Sequence, residues 1–261
     1  MAQYQENATI IRFEQLTEDN IRLTLQSDNI AAVAKPGQFV MIRTALGKDP
    51  LLRRPFSIHQ SSTNGRIQIL FKVTGRGTSL LAHCKEGENL SVFGPLGHGF
   101  DIRADRPACL VGGGMGIAPM FFLAKMICRM KKSTASDLIV FGGRTRKEVE
   151  PLVADFEQMG VRLLTATDDG TYGAKGFVTE LIHGLELPRE TVVYGCGPHA
   201  MMHQLHIFCH SRGMECQVSV ESVMACGMGA CLGCNIPAKN GEYVHVCYEG
   251  PVFKAEDLVW K

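Results

Sequence analysis

The stretch ACLVGGGMGIAP, residues 108–119, decides the fold. An apolar run leads into Gly112, Gly113, Gly114 and Gly116, and a helical pattern follows from about Ala118 to Arg129. A strand, a glycine turn and a helix make a βα unit. Its helix N-terminus attracts anions, and its glycines let the backbone approach a pyrophosphate. The spacing is not G-x-G-x-x-G, so a tight turn without ligand is the alternative at this site taken alone. The rhythm repeats downstream. DLIVFGG precedes a helix over about 147–158, VRLLTATDD is followed by GFVTELIHG, and TVVYGCG is followed by a helix over about 198–211. Continuous apolar strands are buried on both faces, as in a parallel sheet. Residues 104–218 are therefore expected to form a doubly wound α/β domain. Gly195, Cys196, Gly197 and Pro198 fall at the C-terminal edge of the last of these strands, where open α/β sheets bind ligands. Arg144 and Arg146 after VFGG either meet a ribose or phosphate or face solvent.

Upstream, residues 1–103 have a different texture. NIRLTLQS places Ile21, Leu23 and Leu25 on one face, and GQFVMIRT, PFSIHQ, GRIQILFKV and ENLSVFGPL follow at short intervals. Turn signals at Pro36-Gly37, Asn64-Gly65 and Gly94-Pro95 separate them. Short strands without intervening helices predict a small antiparallel barrel. Within it, Arg54-Pro55-Phe56-Ser57 brings together a cation for a pyrophosphate, a ring that stacks on an isoalloxazine and a hydroxyl for a ring nitrogen. LFKVTGRGTSLLAH, from Leu70 to His83, adds Gly75, Gly77, Thr78 and Ser79 as a second phosphate cradle. Each pattern is weak by itself.

Downstream, residues 219–261 are too few for a large core but hold ESVMACGMGACLGCNIPAKNGEYVHVC. Cys226, Cys231, Cys234 and Cys247 stand in C-x4-C-x2-C-x12-C spacing, and the first three match a plant-type [2Fe–2S] pattern. Soft thiolates suit iron in such clusters, and four complete two tetrahedral irons. Gly227, Gly229 and Gly233 let the loop turn its amides toward the inorganic core. Structural zinc is the competing reading, but zinc more often takes paired C-x2-C units, and one is present here. The other six cysteines, Cys84, Cys109, Cys128, Cys196, Cys209 and Cys216, are scattered and read as small buried residues, with Cys196 set apart by its glycine neighbours.

Composition narrows the function further. With 27 basic and 26 acidic residues, the chain has no global basic field for nucleic acid. The N-terminal stretch lacks an apolar signal core. The best membrane candidate, Ala108–Ala124, is too short and glycine-broken. A cytoplasmic protein without membrane insertion is expected. Ten cysteines there are not disulfides, which turns attention to their metal chemistry. The nine histidines are scattered and read as surface or core residues. No candidate base beside a basic anion pocket is found, so no catalytic residue is assigned.

Taken in order, the barrel with R-x-[YF]-S, the GT/S cradle, GGGxGxAP, GCGP and the cysteine tail resemble the ferredoxin–NADP reductase superfamily. The tail ESVMACGMGACLGCNIP…HVCYEGPVF is similar to electron-transfer subunits of class 1B dihydroorotate dehydrogenases. The resemblance covers nearly the whole chain. It implies that Arg54, Pro55, Phe56, Ser57, Leu70, Phe71, Lys72, Gly77 and Thr78 bind FAD. It implies that Gly112, Gly113, Gly114, Gly116, Cys196, Gly197 and Pro198 border an NAD(H) site, and that Cys226, Cys231, Cys234 and Cys247 ligate a [2Fe–2S] cluster. It also implies an FMN-containing TIM-barrel partner that oxidises dihydroorotate to orotate in pyrimidine biosynthesis, two copies of each chain, and electron flow from that FMN through the cluster and FAD to NAD+.

The sequence differs from the wider family in two places: Phe56 stands where Tyr is frequent, and the Cys234–Cys247 gap is shorter than in plant-type ferredoxins. Asp168 and Asp169 either face the nucleotide or form an Asx turn, and Glu221 is expected near the flavin. NADH is the expected nucleotide, although Arg144, Arg146 and Lys147 are available to a 2′-phosphate. Two alternatives differ in class. One is a flavin and iron–sulfur NAD(P)H reductase subunit of another complex, serving ferredoxin or sulfite and sulfide chemistry. The other is a redox-responsive regulator without flavin, against which the intact flavin and nucleotide motifs count.

Overall fold

A computed structural model describes residues 2–45, 47 and 49–260. The first layer holds β1 (Tyr4–Gln15), β2 (Asn20–Gln26), α1 (Asp28–Val33), β3 (Phe39–Ile42), β4 (Arg54–Ser62), β5 (Arg66–Lys72), α2 (Arg76–Leu81) and β6 (Asn89–Leu96). Its strands close into an antiparallel barrel in the order β1-β2-β5-β4-β3-β6. Ile21, Leu23 and Leu25 of β2 point inward and are buried, as their alternation predicts. They meet Ile58, Ile67, Ile69 and Val92 in the barrel core. The strand β1 has no comparable sequence signal. Only Ala8 and Ile10 of its twelve residues are buried, so its polar face hides the period.

Beyond the barrel come β7 (Ala108–Gly113), α3 (Ile117–Met130), β8 (Leu138–Gly143), α4 (Arg146–Glu157), β9 (Arg162–Thr167), β10 (Ala174–Lys175), α5 (Val178–His183), β11 (Val192–Cys196), α6 (His199–Arg212) and β12 (Cys216–Ser219). The tail adds a hairpin of β13 (Asn235–Pro237) and β14 (Tyr243–His245), then β15 (Val252–Lys254). The second sheet runs β10-β9-β8-β7-β11-β12-β15. Its neighbours are parallel as far as β12, and β15 closes the edge antiparallel. Residues of α3 and α4 pack on one face of the sheet, and residues of α5 and α6 on the other. This is the doubly wound arrangement that the strand–helix rhythm predicts.

Helix α3 explains the apolar run that resembles a membrane segment. Phe121 joins the core under the sheet while the adjacent Phe122 joins the barrel core. A helix apolar on all sides is one that is covered on all sides. Among the described residues, no helix is long and apolar enough to cross a membrane.

Polar contacts lock the layers together. Arg22 of β2 pairs with Asp155 of α4. Gln217 exchanges two 2.9 Å hydrogen bonds with the backbone of Asp101, in the connection between barrel and sheet. His59 of β4 donates from Nδ1 to the Ala118 carbonyl at 2.8 Å, and its ring lies nearly parallel to Phe121. Its Nε2 is buried without a partner among the described residues, so the ring is held neutral and its pKa falls to about 4, chiefly through burial. In the unfolded chain a histidine titrates near 6.5. The unfolded state therefore takes up the proton first as pH falls, and the contribution of this group to stability declines between about pH 6.5 and 4. At 1.36 kcal/mol per pKa unit this amounts to about 3 kcal/mol. His59→Gln is expected to flatten this part of the stability profile, measured as the difference in urea midpoints between pH 7 and pH 5 for variant and parent.

Candidate functional site

Three cavities run from the junction of barrel, sheet and tail out along the edge of the sheet. The first, about 320 Å³, is walled by Pro55, Phe56 and Ser57 of β4, Leu70, Phe71 and Lys72 of β5, and Thr78 of α2. These two strands are not adjacent in sequence to the sheet, yet Cys196 and Glu221 complete the same wall. The Phe56 ring is tilted at 57° against Phe71, with centroids 5.4 Å apart. Thr78 Oγ1 accepts the Thr74 and Gly75 amides and donates to the Gly75 carbonyl, which fixes the turn entering α2. Arg54 and Gly77 stand beside this cavity rather than on its wall, in contact with each other. Near them the Thr44 hydroxyl is buried without a hydrogen-bond partner among the described residues. A slot walled by aromatic and aliphatic side chains, several hydroxyls and the Lys72 ammonium, with the Arg54 guanidinium beside it, fits an isoalloxazine with its phosphate arm.

The second cavity, about 610 Å³, opens from the first and shares Met115, Val220 and Glu221 with it. Gly113, Gly114, Gly116, Gly197 and Pro198 form one side and Trp260 part of the other. The two glycine loops meet here without room to spare. A Cβ on Gly116 would lie 2.0 Å from the Cys196 carbonyl oxygen. Gly112 is set behind the loop against Phe141, and Cys196 faces the first cavity rather than the second. Burial above all, then Glu221, pushes the Cys196 thiol up to about 12, so it remains protonated.

The third cavity, about 490 Å³, continues past Gly113, Gly114 and Pro198 to Arg144, Glu148, Asp168 and Phe177. It lies at the C-terminal ends of the parallel strands, as the glycine loops predict. Asp168 is on its wall. Asp169 instead accepts the Thr171 amide and hydroxyl at 3.0 and 2.7 Å, an Asx turn. Arg146 lies over the Tyr172 ring.

The cysteine loop lies against the barrel. Gly227 has φ +74°, and a Cβ there would lie 2.6 Å from Met41 Cγ of β3. Two of the four thiols meet directly, and the other two are linked through a backbone amide. Cys234 and Cys247 Sγ are 3.2 Å apart and buried in the core. The Cys226 sulfur accepts the Met228 amide at 3.5 Å and the Cys231 amide at 3.4 Å. Burial raises the Cys226 thiol, but these amides outweigh it and bring the thiol down to about 6. Burial and the neighbouring Cys234 push Cys247 up to about 12. Two thiols this close resist ionising together unless a cation lies between them, and a bound metal reverses that preference. Close thiols at Cys234 and Cys247, with backbone amides directed at the Cys226 and Cys247 sulfurs, are features that an iron–sulfur core uses.

The sequence reading missed two wall residues. Phe177 and Trp260 were not singled out, and Trp260 lies far along the chain from the glycine loops it faces. It packs over His199, His203 and His206 of α6, so histidines that look scattered in sequence share one helix face. Cys109, Cys209 and Cys216 are buried in one core cluster, as small apolar residues would be.

Known proteins show the same three parts. Residues 7–100 match the oxidoreductase FAD-binding domain, residues 110–206 the oxidoreductase NAD-binding domain, and residues 221–259 the iron–sulfur cluster binding domain of dihydroorotate dehydrogenase B. The dihydroorotate dehydrogenase B (NAD(+)) electron transfer subunit of Geobacillus thermodenitrificans is 38% identical over 98% of both chains. That of Caldanaerobacter subterraneus subsp. tengcongensis is 40% identical over 86% of this chain and 87% of its own. The solved structure of an NADH-dependent reduced ferredoxin-NADP oxidoreductase superposes with a TM-score of 0.88 at 29% identity, over 98% of this chain and 90% of that one. The chain belongs to the family of dihydroorotate dehydrogenase B (NAD(+)) electron transfer subunits.

Proposed function

We propose that this chain is the electron-transfer subunit of an NAD-dependent dihydroorotate dehydrogenase in pyrimidine biosynthesis. It would work in the cytoplasm beside an FMN-containing catalytic chain, two copies of each. The observation that carries this reading is the continuity of the seam. Glu221 and Met224 are on the wall of the first cavity, and Cys226 follows two residues later. The cluster loop, the flavin cavity and the nicotinamide cavity are thus consecutive. When bound, a flavin exchanges one or two electrons, an iron–sulfur cluster one and NAD a hydride, so the flavin belongs in the middle.

In this proposal residues 1–103, 104–218 and 219–261 are the FAD, NAD and cluster domains. Cys226, Cys231, Cys234 and Cys247 hold a [2Fe–2S] cluster as thiolates. Arg54 takes the FAD phosphates, Phe56 and Phe71 wall the ring, and Ser57, Lys72 and Thr78 supply polar contacts. Gly113, Gly114, Gly116, Gly197 and Pro198 admit the nicotinamide end of NAD. Glu148 and Asp168 favour NADH, since a 2′-phosphate would meet two carboxylates.

Apolar side chains stand out around the cysteine loop and support a partner seated there. Val223 is 89% and Leu232 55% exposed, and Met228, Tyr243 and Tyr248 are exposed nearby. Leu232 holds φ +56°, a conformation costly for a non-glycine residue. Contiguous exposed apolar surface is characteristic of an interface. The structural similarity to an NADH-dependent ferredoxin-NADP oxidoreductase supports a second reading, a reductase subunit of another complex.

Co-expression with the FMN-type dihydroorotate dehydrogenase of the same genome separates the two. Anaerobic complex given dihydroorotate and NAD+ is expected to form orotate and NADH only when this chain is present. No complex and no NADH, with NADH still bleaching the flavin of the isolated chain, would transfer the assignment to the second reading. Separately, Cys231→Ser is expected to abolish the normal cluster spectrum and leave FAD bound. An unchanged cluster spectrum would overturn this ligand set.

A further inference from the structure

Four charged side chains connect the first cavity to the third. Lys72 is on the wall of the flavin cavity, and its Nζ lies 3.1 Å from Asp19 Oδ2 and 3.4 Å from Glu148 Oε1. Glu148 is on the wall of the nucleotide cavity. Its Oε2 accepts the Arg144 amide at 2.9 Å and Arg144 Nε at 3.2 Å. Glu148 is mostly covered, at 17% side-chain exposure, whereas Arg144 is 70% exposed and open to a bound ligand. The helix carrying Glu148 is also fixed to the barrel at its far end, where Asp155 meets Arg22. Glu148 is therefore held in place between two cations, one facing each cofactor cavity.

From this juxtaposition we infer that Glu148 is a positioning residue through which the nucleotide cavity and the flavin cavity sense each other. The inference rests on the FAD and NAD sites proposed above. Reduction at neutral pH leaves a flavin more negative, and a nearby cation stabilises that charge. Lys72 is such a cation, and Glu148 offsets part of its field. A nucleotide whose phosphates engage Arg144 draws that guanidinium away from Glu148. The full carboxylate charge then acts on Lys72, and the flavin becomes harder to reduce. Linkage makes the effect reciprocal: the nucleotide binds the oxidised chain more tightly than the reduced one.

The test uses the chain purified with its FAD and cluster, and ADP-ribose as a nucleotide that accepts no hydride. Flavin midpoint potentials are measured spectroscopically with and without it. In the parent, ADP-ribose is expected to lower the potential, with dissociation constants of oxidised and reduced chain differing by about fivefold or more. Glu148→Gln is expected to raise the potential of the ligand-free chain and bring that ratio toward one. Glu148→Asp restores part of both effects. In a Lys72→Met background, Glu148→Gln is expected to change the potential no further. Unaltered potentials and an unaltered ratio in Glu148→Gln would overturn the inference, as would an effect that persists without Lys72. Absence of ADP-ribose binding and of NADH-driven bleaching in the parent would instead remove the nucleotide site on which it rests.

Discussion

The contact of Gly227 with Met41 is the constraint on which the arrangement of the site depends. No side chain fits between the cysteine loop and β3, so the loop lies directly on the barrel wall. The next residue pair inward, Phe39 and Leu96, shares a core with Cys234, Val246 and Cys247. Burial of such side chains is worth about 1.5–3 kcal/mol each. The tail, too short to build its own core, borrows one from the barrel and the sheet. This shared core, rather than any linker, sets where the cysteines lie relative to the flavin cavity.

A second close approach fixes the other side of the seam. Gly116 against the Cys196 carbonyl brings two βα turns of one sheet edge into direct contact. With no side chains between them, the two loops form one continuous backbone surface, and the cavities on either side merge along it. Cys196 and Glu221 then face the flavin cavity from the sheet while Phe56 and Lys72 face it from the barrel. The first cavity is thus an interface between layers, walled from the barrel and from the sheet. His59 on Ala118 and Arg22 on Asp155 hold that register from behind.

Legibility in sequence followed the physical range of each signal. The strands β7, β8 and β11 were readable because burial on both faces leaves continuous apolar runs, and β2 because burial on one face leaves alternation. The strand β1 was not, because most of its residues remain half in water. The flavin and cysteine motifs stood out in the sequence because each is local, a few residues on one strand or one loop, although the first cavity's wall also draws on the sheet and the tail. Trp260 and Phe177 reach their cavities only through tertiary folding. Asp168 and Asp169 show the limit most directly. Adjacent and chemically identical, one faces a cavity and the other closes a turn on Thr171, a choice made by backbone direction. Lys72 was assigned to FAD by resemblance, while Glu148, its partner across the seam, carries no signal of its own.

The tail does more than carry cysteines. Its last strand, β15, pairs with β12 through Gln217–Lys254, Val218–Phe253 and Ser219–Val252. Without it, β12 would present a row of unpaired backbone groups, the kind of edge that invites a neighbouring chain. The strand that caps this edge is reached only after the chain has passed through all four cysteines and turned back. The segment that carries the cysteines thus also supplies the strand that shields the sheet from intermolecular pairing.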